Sequence, residues 1–174
     1  MPGLRPSVPM RTLLADWMAN AENHAARNRA FLHGLDRRKD KAIDRAARRL
    51  HRAAFQAIDC TRCANCCRTI LPTFTQAEIH EIATYLGVPW EALLAAHLTR
   101  SSSDDRLRTR GVPCPFLGRD DRCSIYEVRP ASCSDFPHTN RSRFAAAAEC
   151  HAENARDCPA VFYVIEQMRE RGVR

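Results

Sequence analysis

The run "DCTRCANCCRT", residues 59–69, decides how the rest of this 174-residue chain is interpreted. It places four cysteines, at positions 60, 63, 66 and 67, within eight consecutive residues. A Cys-x-x-Cys turn folds two sulfurs to the same side of the chain, and structural zinc sites use this spacing. Two such turns overlap here through Cys63. Inert buried thiols explain so dense a run poorly, so the run predicts a thiolate metal site.

The adjacent pair Cys66 and Cys67 argues for more than one ion. Neighbouring residues project their side chains in different directions, so these two are poorly placed to share one mononuclear tetrahedral site. The simpler geometry sends them to different metals or to different atoms of a cluster. Four thiolates saturate one tetrahedral zinc and eight saturate two. The candidate metal ligands are Cys60, Cys63, Cys66, Cys67, Cys114, Cys123 and Cys133, then Cys150 as the eighth, with Cys158 left over.

Iron competes with zinc for these thiols. Bacterial ferredoxins use a Cys-x-x-Cys-x-x-Cys run with a further Cys-Pro. Residues 60–66 reproduce the triple, and Cys-Pro occurs at 114–115 and at 158–159. Cys67, however, falls too early for the local fourth ligand of a ferredoxin. The spacing therefore predicts Zn²⁺ or Fe, including an iron–sulfur cluster, held as two metal ions or one polynuclear cluster, and leaves the metal open.

Disulfide bonding and nucleophilic catalysis are the other roles open to these cysteines. The start of the chain has no continuous apolar segment typical of a secretory signal, so we expect a reducing, cytoplasmic compartment. There, clustered cysteines are more often metal or redox groups than disulfides. His138 and His151 lie beside cysteine segments and are alternative ligands. No Cys–His pair stands out as a nucleophile, so no catalytic residue is predicted and the sequence leaves enzymatic activity undecided.

The positive charge is concentrated ahead of the first cysteine. Of the net charge of +7, residues 1–59 hold 12 Lys/Arg against 6 Asp/Glu, whereas residues 60–174 hold 15 against 14. A basic surface attracts anionic partners, although a solvated helix face has the same composition. Aromatic residues are not interleaved with these arginines, which disfavours nucleic acid. A protein partner that contacts the basic N-terminal helices is the remaining prediction. A membrane is not predicted as a partner, because no apolar stretch approaches the ~20 residues of a membrane span.

Apolar periodicity predicts helices through most of the chain. Residues 11–58 read as one or two amphipathic helices, after a proline-containing extended start over residues 1–10. Thr75 and Glu78 fit a capping box at a helix start, and Gly87 fits its end. The last helix begins at Pro159. Its predicted buried side consists of Val161, Val164, Ile165 and Met168.

The predicted strands are few. "PFLGRDDRCSIY", residues 115–126, combines an apolar run, turn residues and β-prone side chains, so we predict a short hairpin. Residues 100–110 are polar and aperiodic, and we predict an exposed loop. The fold class is therefore mainly α: a small helical domain with irregular Cys-rich loops and one short hairpin, organised around a thiolate metal centre. The predicted division is a basic amphipathic helical extension at 1–58 and a cysteine-cluster metal-binding domain at 59–174.

Three segments resemble a known family. "CTRCANCC", "FTQAEIHEIATYLGV" and "CPFLGRDDRCSIYEVRPASCSDFP" resemble the CxxCxxCC family of zinc- or iron-chelating domains, in the family's order. The resemblance runs from Cys60 to about Cys150 and leaves residues 1–59 outside. It implies metal ligation by about eight cysteines, the last being Cys150 or Cys158. The other implied ligands are Cys60, Cys63, Cys66, Cys67, Cys114, Cys123 and Cys133.

The resemblance implies little about activity. The flagellin lysine methylase looks like a relative with the same cysteine cluster, but this chain has no glycine-rich nucleotide loop, and that activity is not carried over. A site saturated by thiolates leaves no open position for catalysis, which favours a structural centre. The alternative is an iron–sulfur redox protein, or an iron-dependent enzyme or accessory factor. The colour of the anaerobically purified protein distinguishes a structural zinc centre from an iron–sulfur centre.

Overall fold

The computed structural model of this chain describes residues 9–100 and 106–174. Of the predicted extended start, all but the last two positions lie outside this part. The described residues group into two compact units. We call residues 9–59 together with 137–174 the helical unit, and residues 60–136 the cysteine unit.

Helices dominate both units, which confirms the predicted mainly α class. Within the described ranges, none of them combines the length and the hydropathy that crossing a bilayer requires. The helical unit contains α1 (Met10–Asn20), α2 (Ala25–His33), α3 (Asp40–Ala57), α9 (Ala148–Asp157) and α10 (Pro159–Glu170). The cysteine unit contains α4 (Cys60–Cys63), α5 (Asn65–Thr69), α6 (Gln76–Leu86), α7 (Trp90–His97) and α8 (Ala131–Ser134).

The helical unit is built around α10, which packs against α3 and α9. Four side chains on one face of α10 are fully buried, as predicted: Val161, Val164, Ile165 and Met168. Ile43, Ala47 and Leu50 supply the facing surface of α3 and are at most 1% exposed. Repeats of three and four residues place such side chains on one helix face, so the apolar pattern alone predicts which face of each helix is buried.

The N-terminal region divides into more helices than predicted. Residues 11–58 were expected to form one or two helices, whereas α1, α2 and α3 occupy them, with a 3₁₀ turn at Arg37–Lys39. The extra break follows Asn20, where the apolar pattern is weak. The second break follows Gly34, which occupies the C-cap of α2.

A buried carboxylate ties the ends of the helical unit together. Glu166 of α10 is 8% exposed, and both of its oxygens accept hydrogen bonds from Arg27 of α2 at 2.7 Å. Arg169 donates a further bond at 3.0 Å. Burial opposes ionisation of Glu166, but hydrogen bonds from Arg169 and Arg27 leave its pKa below the ordinary value. A charged, paired carboxylate therefore links residues far apart in sequence.

Basic side chains line the outer face of α3. Lys41, Arg45, Arg49 and Arg52 are exposed at spacings of three and four residues, so they follow one side of the helix. Arg48, by contrast, donates hydrogen bonds to the backbone oxygen of Asn140 and to the hydroxyl of Ser142. The predicted protein partner for this basic surface stays a prediction.

The cysteine unit has its own apolar core beneath its loops. The capping box of α6 is present as predicted, and Gly87 ends the helix with a left-handed φ of 68°. A Cβ is disfavoured at this φ, so glycine suits the position. Side chains of α6 and α7 bury together with residues of the following loops. This core consists of Phe74, Ile79, Ile82, Ala83, Leu93, Leu98, Phe116 and Ile125.

A small sheet in the cysteine unit departs from the prediction. Strands β1 (Thr73–Phe74), β2 (Leu98–Arg100) and β3 (Leu107–Thr109) form an antiparallel sheet in the order β1-β3-β2. The predicted exposed loop at 100–110 is therefore wrong at its strand residues, and residues 101–105 lie outside the described part. Strands of two or three residues are too short to show a period of two, so no periodicity in the sequence predicts them.

The predicted hairpin occurs in a minimal form. Leu117 and Cys123 make an isolated antiparallel bridge. Gly118 N donates to Arg122 O at 2.7 Å, and Ser124 N donates to Phe116 O at 2.8 Å. The reversal brings the chain back on itself within residues 115–126.

The compact units do not follow the predicted domain boundary. The sequence grouped residues 137–174 with the cysteine cluster, whereas the structure packs them with the N-terminal helices. The predicted division into a helical extension at 1–58 and a metal-binding domain at 59–174 stays a prediction.

Candidate metal centre

Seven of the nine cysteines belong to the cysteine unit, and Cys150 and Cys158 belong to the helical unit. No disulfide joins any of the nine, all of which fall in the described part of the chain. Most of the seven are half-buried, and Cys60 is exposed. The seven are Cys60, Cys63, Cys66, Cys67, Cys114, Cys123 and Cys133.

The quadruple cysteine run folds as two one-turn helices rather than a single loop. The break between α4 and α5 is Ala64, which is 4% exposed and has a left-handed φ of 49°. Cys60 and Cys63 lie at the two ends of α4, three residues apart and hence on one face. The guanidinium of Arg68 donates to the Cys63 carbonyl at 2.9 Å. Cys66 and Cys67 therefore lie in a second helix, α5, after a change in the direction of the chain.

A backbone hydrogen bond joins the cysteine run to the second cysteine segment. Cys114 N donates to Cys67 O at 2.7 Å, although the two residues are far apart in sequence. The pKa of Cys114 is raised to about 11, first by burial and then by thiolates at Cys67 and Cys123, against a lowering bond from the Phe116 backbone. These three thiols therefore lie close enough to influence one another's ionisation.

The minimal hairpin supplies the third thiol of this group. Cys123 pairs across the bridge with Leu117, directly after the segment that carries Cys114. Burial is the largest cause that raises the Cys123 pKa. A thiolate at Cys67 adds to it, whereas Arg129 and a backbone bond from Ile125 lower it. The hairpin thus returns Cys123 to the neighbourhood of Cys114 and Cys67.

Cys133, on the one-turn helix α8, completes a set of four. Its pKa is raised to about 12, first by burial and also by thiolates at Cys114, Cys67 and Cys123, against a lowering contact from Ser132. Its amide donates to the Pro130 carbonyl at 2.9 Å, which closes the turn. We call Cys67, Cys114, Cys123 and Cys133 the four-thiol set.

The four-thiol set disfavours negative charge in its own right. Cys67 differs from the other three, because its pKa is lowered to about 7, first by a hydrogen bond from the Cys66 thiol and also by Arg68, against burial. Each further thiolate would add repulsion to a half-buried group. A bound cation removes this penalty, since a metal ion deprotonates the thiols that coordinate it.

The donor chemistry of the set fits a thiophilic ion. Four sulfurs are the complement of a tetrahedral zinc or iron site. Over residues 9–100 and 106–174, no three cysteine, histidine, aspartate or glutamate side chains form a group that could hold a metal ion as they stand. The four thiols are therefore electrostatic neighbours and not a closed coordination sphere.

Two arginines of the cysteine unit act on thiols of the set. Arg68 pairs with Asp121 at 2.5 Å and lowers the pKa of Cys67. Arg129 lies over the Tyr126 ring, 3.9 Å from its centroid, and lowers the pKa of Cys123. Both cations favour thiolates in the set.

The remaining candidates lie in the helical unit. Cys158 is buried at the start of α10, and the thiol of Cys150 accepts a hydrogen bond from the Asn154 amide at 3.4 Å. His151 is 1% exposed and stacks on Phe144 with ring centroids 4.1 Å apart. A ligand role for Cys150, Cys158, His138 or His151 stays a prediction.

Sequence reasoning missed two residues that surround Cys133. Glu78 was assigned only to the cap of its own helix, but it also accepts from Ala131 N at 2.7 Å. Ser132 was not singled out, and its hydroxyl donates to Thr73 O at 2.7 Å. The capping box pointed to Glu78, but nothing in the sequence pointed to its second partner.

Comparison with known proteins places residues 59–158 in one family. They match the model of the CxxCxxCC family, described as "Putative zinc- or iron-chelating domain". "Uncharacterized protein MJ0661" of Methanocaldococcus jannaschii is 32% identical over 89 residues, which cover 50% of this chain and 48% of that relative. The chain thus spans about half the length of that protein. No solved structure matches.

Proposed function

Because the chain belongs to the CxxCxxCC family of zinc- or iron-chelating domains, we propose that it holds a structural metal ion in the four-thiol set. Cys67, Cys114, Cys123 and Cys133 would be the ligands. The ion would supply positive charge for four thiolates and would cross-link the segments that carry them.

One observation carries this proposal. The hydrogen bond from Cys114 N to Cys67 O, at 2.7 Å, joins two cysteine segments that only the fold brings together. The hairpin at Leu117 and Cys123 then adds the third segment. Thiols recruited from separated segments are typical of a site that organises loops, because the binding energy of the metal becomes folding energy.

Zinc is the proposed ion and its role is structural. Four thiolates saturate tetrahedral zinc and leave no coordination position for a substrate. Arg68 and Arg129 would offset part of the net negative charge of such a site, since both already favour thiolates.

A second candidate function rests on the thiols that the set leaves over. Cys60, Cys63 and Cys66 belong to the same unit but not to the four-thiol set. Their spacing is that of the ferredoxin triple. An iron–sulfur centre in a redox protein or an accessory factor is therefore the alternative, with either two metal centres or one polynuclear cluster.

Metal analysis of single-thiol variants tests the proposal. Anaerobically purified wild-type protein should be colourless and should contain zinc, whereas a brown protein containing iron would favour the alternative. Replacement of Cys67, Cys114, Cys123 or Cys133 by serine should remove the same equivalent of zinc in each case. Ser134→Ala is the matched control, because it alters the exposed end of α8 and no thiol. Retention of full zinc content by all four cysteine variants would exclude the four-thiol set.

A further inference from the structure

We propose that Glu78 is a positioning residue that holds Cys133 in place for metal binding. This inference rests on the proposed function, because it assigns Cys133 to the four-thiol set. It adds a residue that is not itself a ligand.

The carboxylate of Glu78 serves two partners through its two oxygens. Oε2 accepts from Thr75 N at 2.7 Å and from Thr75 Oγ1 at 2.9 Å, which completes the cap of α6. Oε1 accepts from Ala131 N at 2.7 Å. Ala131 is the first residue of α8, so the second bond joins α6 to the turn that carries Cys133.

Helix α8 cannot hold its position alone. It has four residues, and isolated helices are marginal in water below ~12–15 residues. Its internal bonds to the Pro130 carbonyl, from Cys133 N at 2.9 Å and from Ser134 N at 3.0 Å, define the turn but not its location. The location depends on bonds to other elements.

Two long-range hydrogen bonds hold the turn, one made by Ala131 and the other by Ser132. Glu78 binds the Ala131 amide, and the Ser132 hydroxyl donates to the Thr73 carbonyl at 2.7 Å. Thr73 begins β1, and Glu78 lies in the first turn of α6. Cys133 follows directly, so one short segment, residues 73–78, makes both bonds that set its position.

The charge of Glu78 strengthens the link. Burial works against its ionisation, yet bonds from Ala131 and Thr75 and the charge of Arg106 leave the Glu78 pKa below its ordinary value. An ionised acceptor makes a shorter and stronger hydrogen bond to a backbone N–H than a neutral one does. Partners of this kind beyond the ligands typically change metal affinity 10–100-fold when removed.

Three variants separate positioning from helix capping. Glu78→Ala removes both functions. Thr75→Ala removes the hydroxyl of the cap but spares the bond from Ala131 N, so it is the matched control. Glu78→Gln keeps an amide oxygen that can accept from Ala131 N, so it is the conservative rescue.

Zinc affinity of the full chain is the first measurement, made by competition with a chromophoric chelator. Glu78→Ala should weaken zinc binding about 10–100-fold. Thr75→Ala should bind like wild type, and Glu78→Gln should recover most of the loss. Equal affinities for Glu78→Ala and Thr75→Ala would overturn the inference.

Alkylation of metal-free protein by iodoacetamide, followed residue by residue with mass spectrometry, is the second measurement. Glu78→Ala should speed labelling of Cys133 several-fold relative to Cys114 and Cys123, whereas a general loss of stability would speed all three. Absence of zinc and iron from the wild-type chain would refute the proposed function, and the Cys133 labelling rate would still decide whether Glu78 holds that turn. An unchanged Cys133 rate in Glu78→Ala would refute the positioning role.

Discussion

The helical unit and the cysteine unit reach order by different means. The helical unit uses helices of 9 to 18 residues, whose buried faces contain residues such as Val161 and Ile165 at 0% exposure. In the cysteine unit, α4 has four residues and α5 has five, and the strands have two or three. Elements so short contribute little stability of their own.

The cysteine unit compensates with a small apolar core and with its thiols. Cys114 and Cys123 pack against that core while facing the other thiols of the set. Phe116 and Ile125 therefore anchor these loops in the apolar core. The proposed metal ion would cross-link the same loops through sulfur. The comparison predicts that metal dependence is confined to residues 60–136 and that core dependence dominates elsewhere.

The largest expected effect is that of metal removal. A strong chelator should abolish amide protection in the cysteine loops, residues 60–69 and 111–123, and leave α10 protected. Structural zinc contributes roughly 10–16 kcal/mol in small zinc domains, far more than any single contact here. Hydrogen exchange with mass spectrometry on holo and metal-free protein measures both units at once. Equal protection of the cysteine loops before and after complete metal loss would break the comparison.

A cavity in the core of the helical unit should lower the stability of the protein and leave its metal content unchanged. Ile165→Ala removes a fully buried side chain of α10, and such truncations cost about 2–5 kcal/mol. We expect the free energy of unfolding from urea titration to fall by that amount, with metal content per chain unchanged. Glu170→Ala, on the exposed end of the same helix, is the control and should change stability by less than about 0.5 kcal/mol. Loss of metal in Ile165→Ala would show that the units are not independent.

Acid should destabilise the helical unit through Glu166. Its pKa in the folded chain lies below the ordinary 4.5, because hydrogen bonds from Arg169 and Arg27 outweigh burial. The unfolded chain thus takes up the proton first, and the stabilisation is present above pH 4.5 and is lost as the pH falls through the folded pKa. Glu166→Gln should flatten this part of the stability profile and cost about 1–3 kcal/mol at neutral pH. A variant with the wild-type slope below pH 4.5 would contradict the assignment, and unfolding at stepped pH measures it.

The sequence predicted the features that depend on neighbours within one turn. The cap of Thr75 and Glu78, the left-handed Gly87 and the buried face of α10 are all confirmed. Each follows from spacings of three or four residues or from one backbone angle. The spacing of the quadruple run likewise predicted metal ligands at Cys60, Cys63, Cys66 and Cys67, which stay a prediction.

The sequence could not predict which distant segments meet. Strand β3 lies in a polar stretch and pairs with Thr73 and Phe74, which are more than thirty positions earlier. Such pairing depends on closing a long loop, whose entropy cost only the assembled core repays. The grouping of residues 137–174 with the N-terminal helices was missed for the same reason.

Glu78 shows the division within a single side chain. Its capping role is predictable from local spacing, because a threonine three residues earlier lies within reach of its Oε2. Its bond from Ala131 N to Oε1 depends on the fold of the whole unit. Likewise, the sequence predicted sulfur ligands, and the fold brought Cys67, Cys114, Cys123 and Cys133 near one another. Local spacing fixes contacts within a turn, whereas contacts across the chain depend on which apolar surfaces bury together.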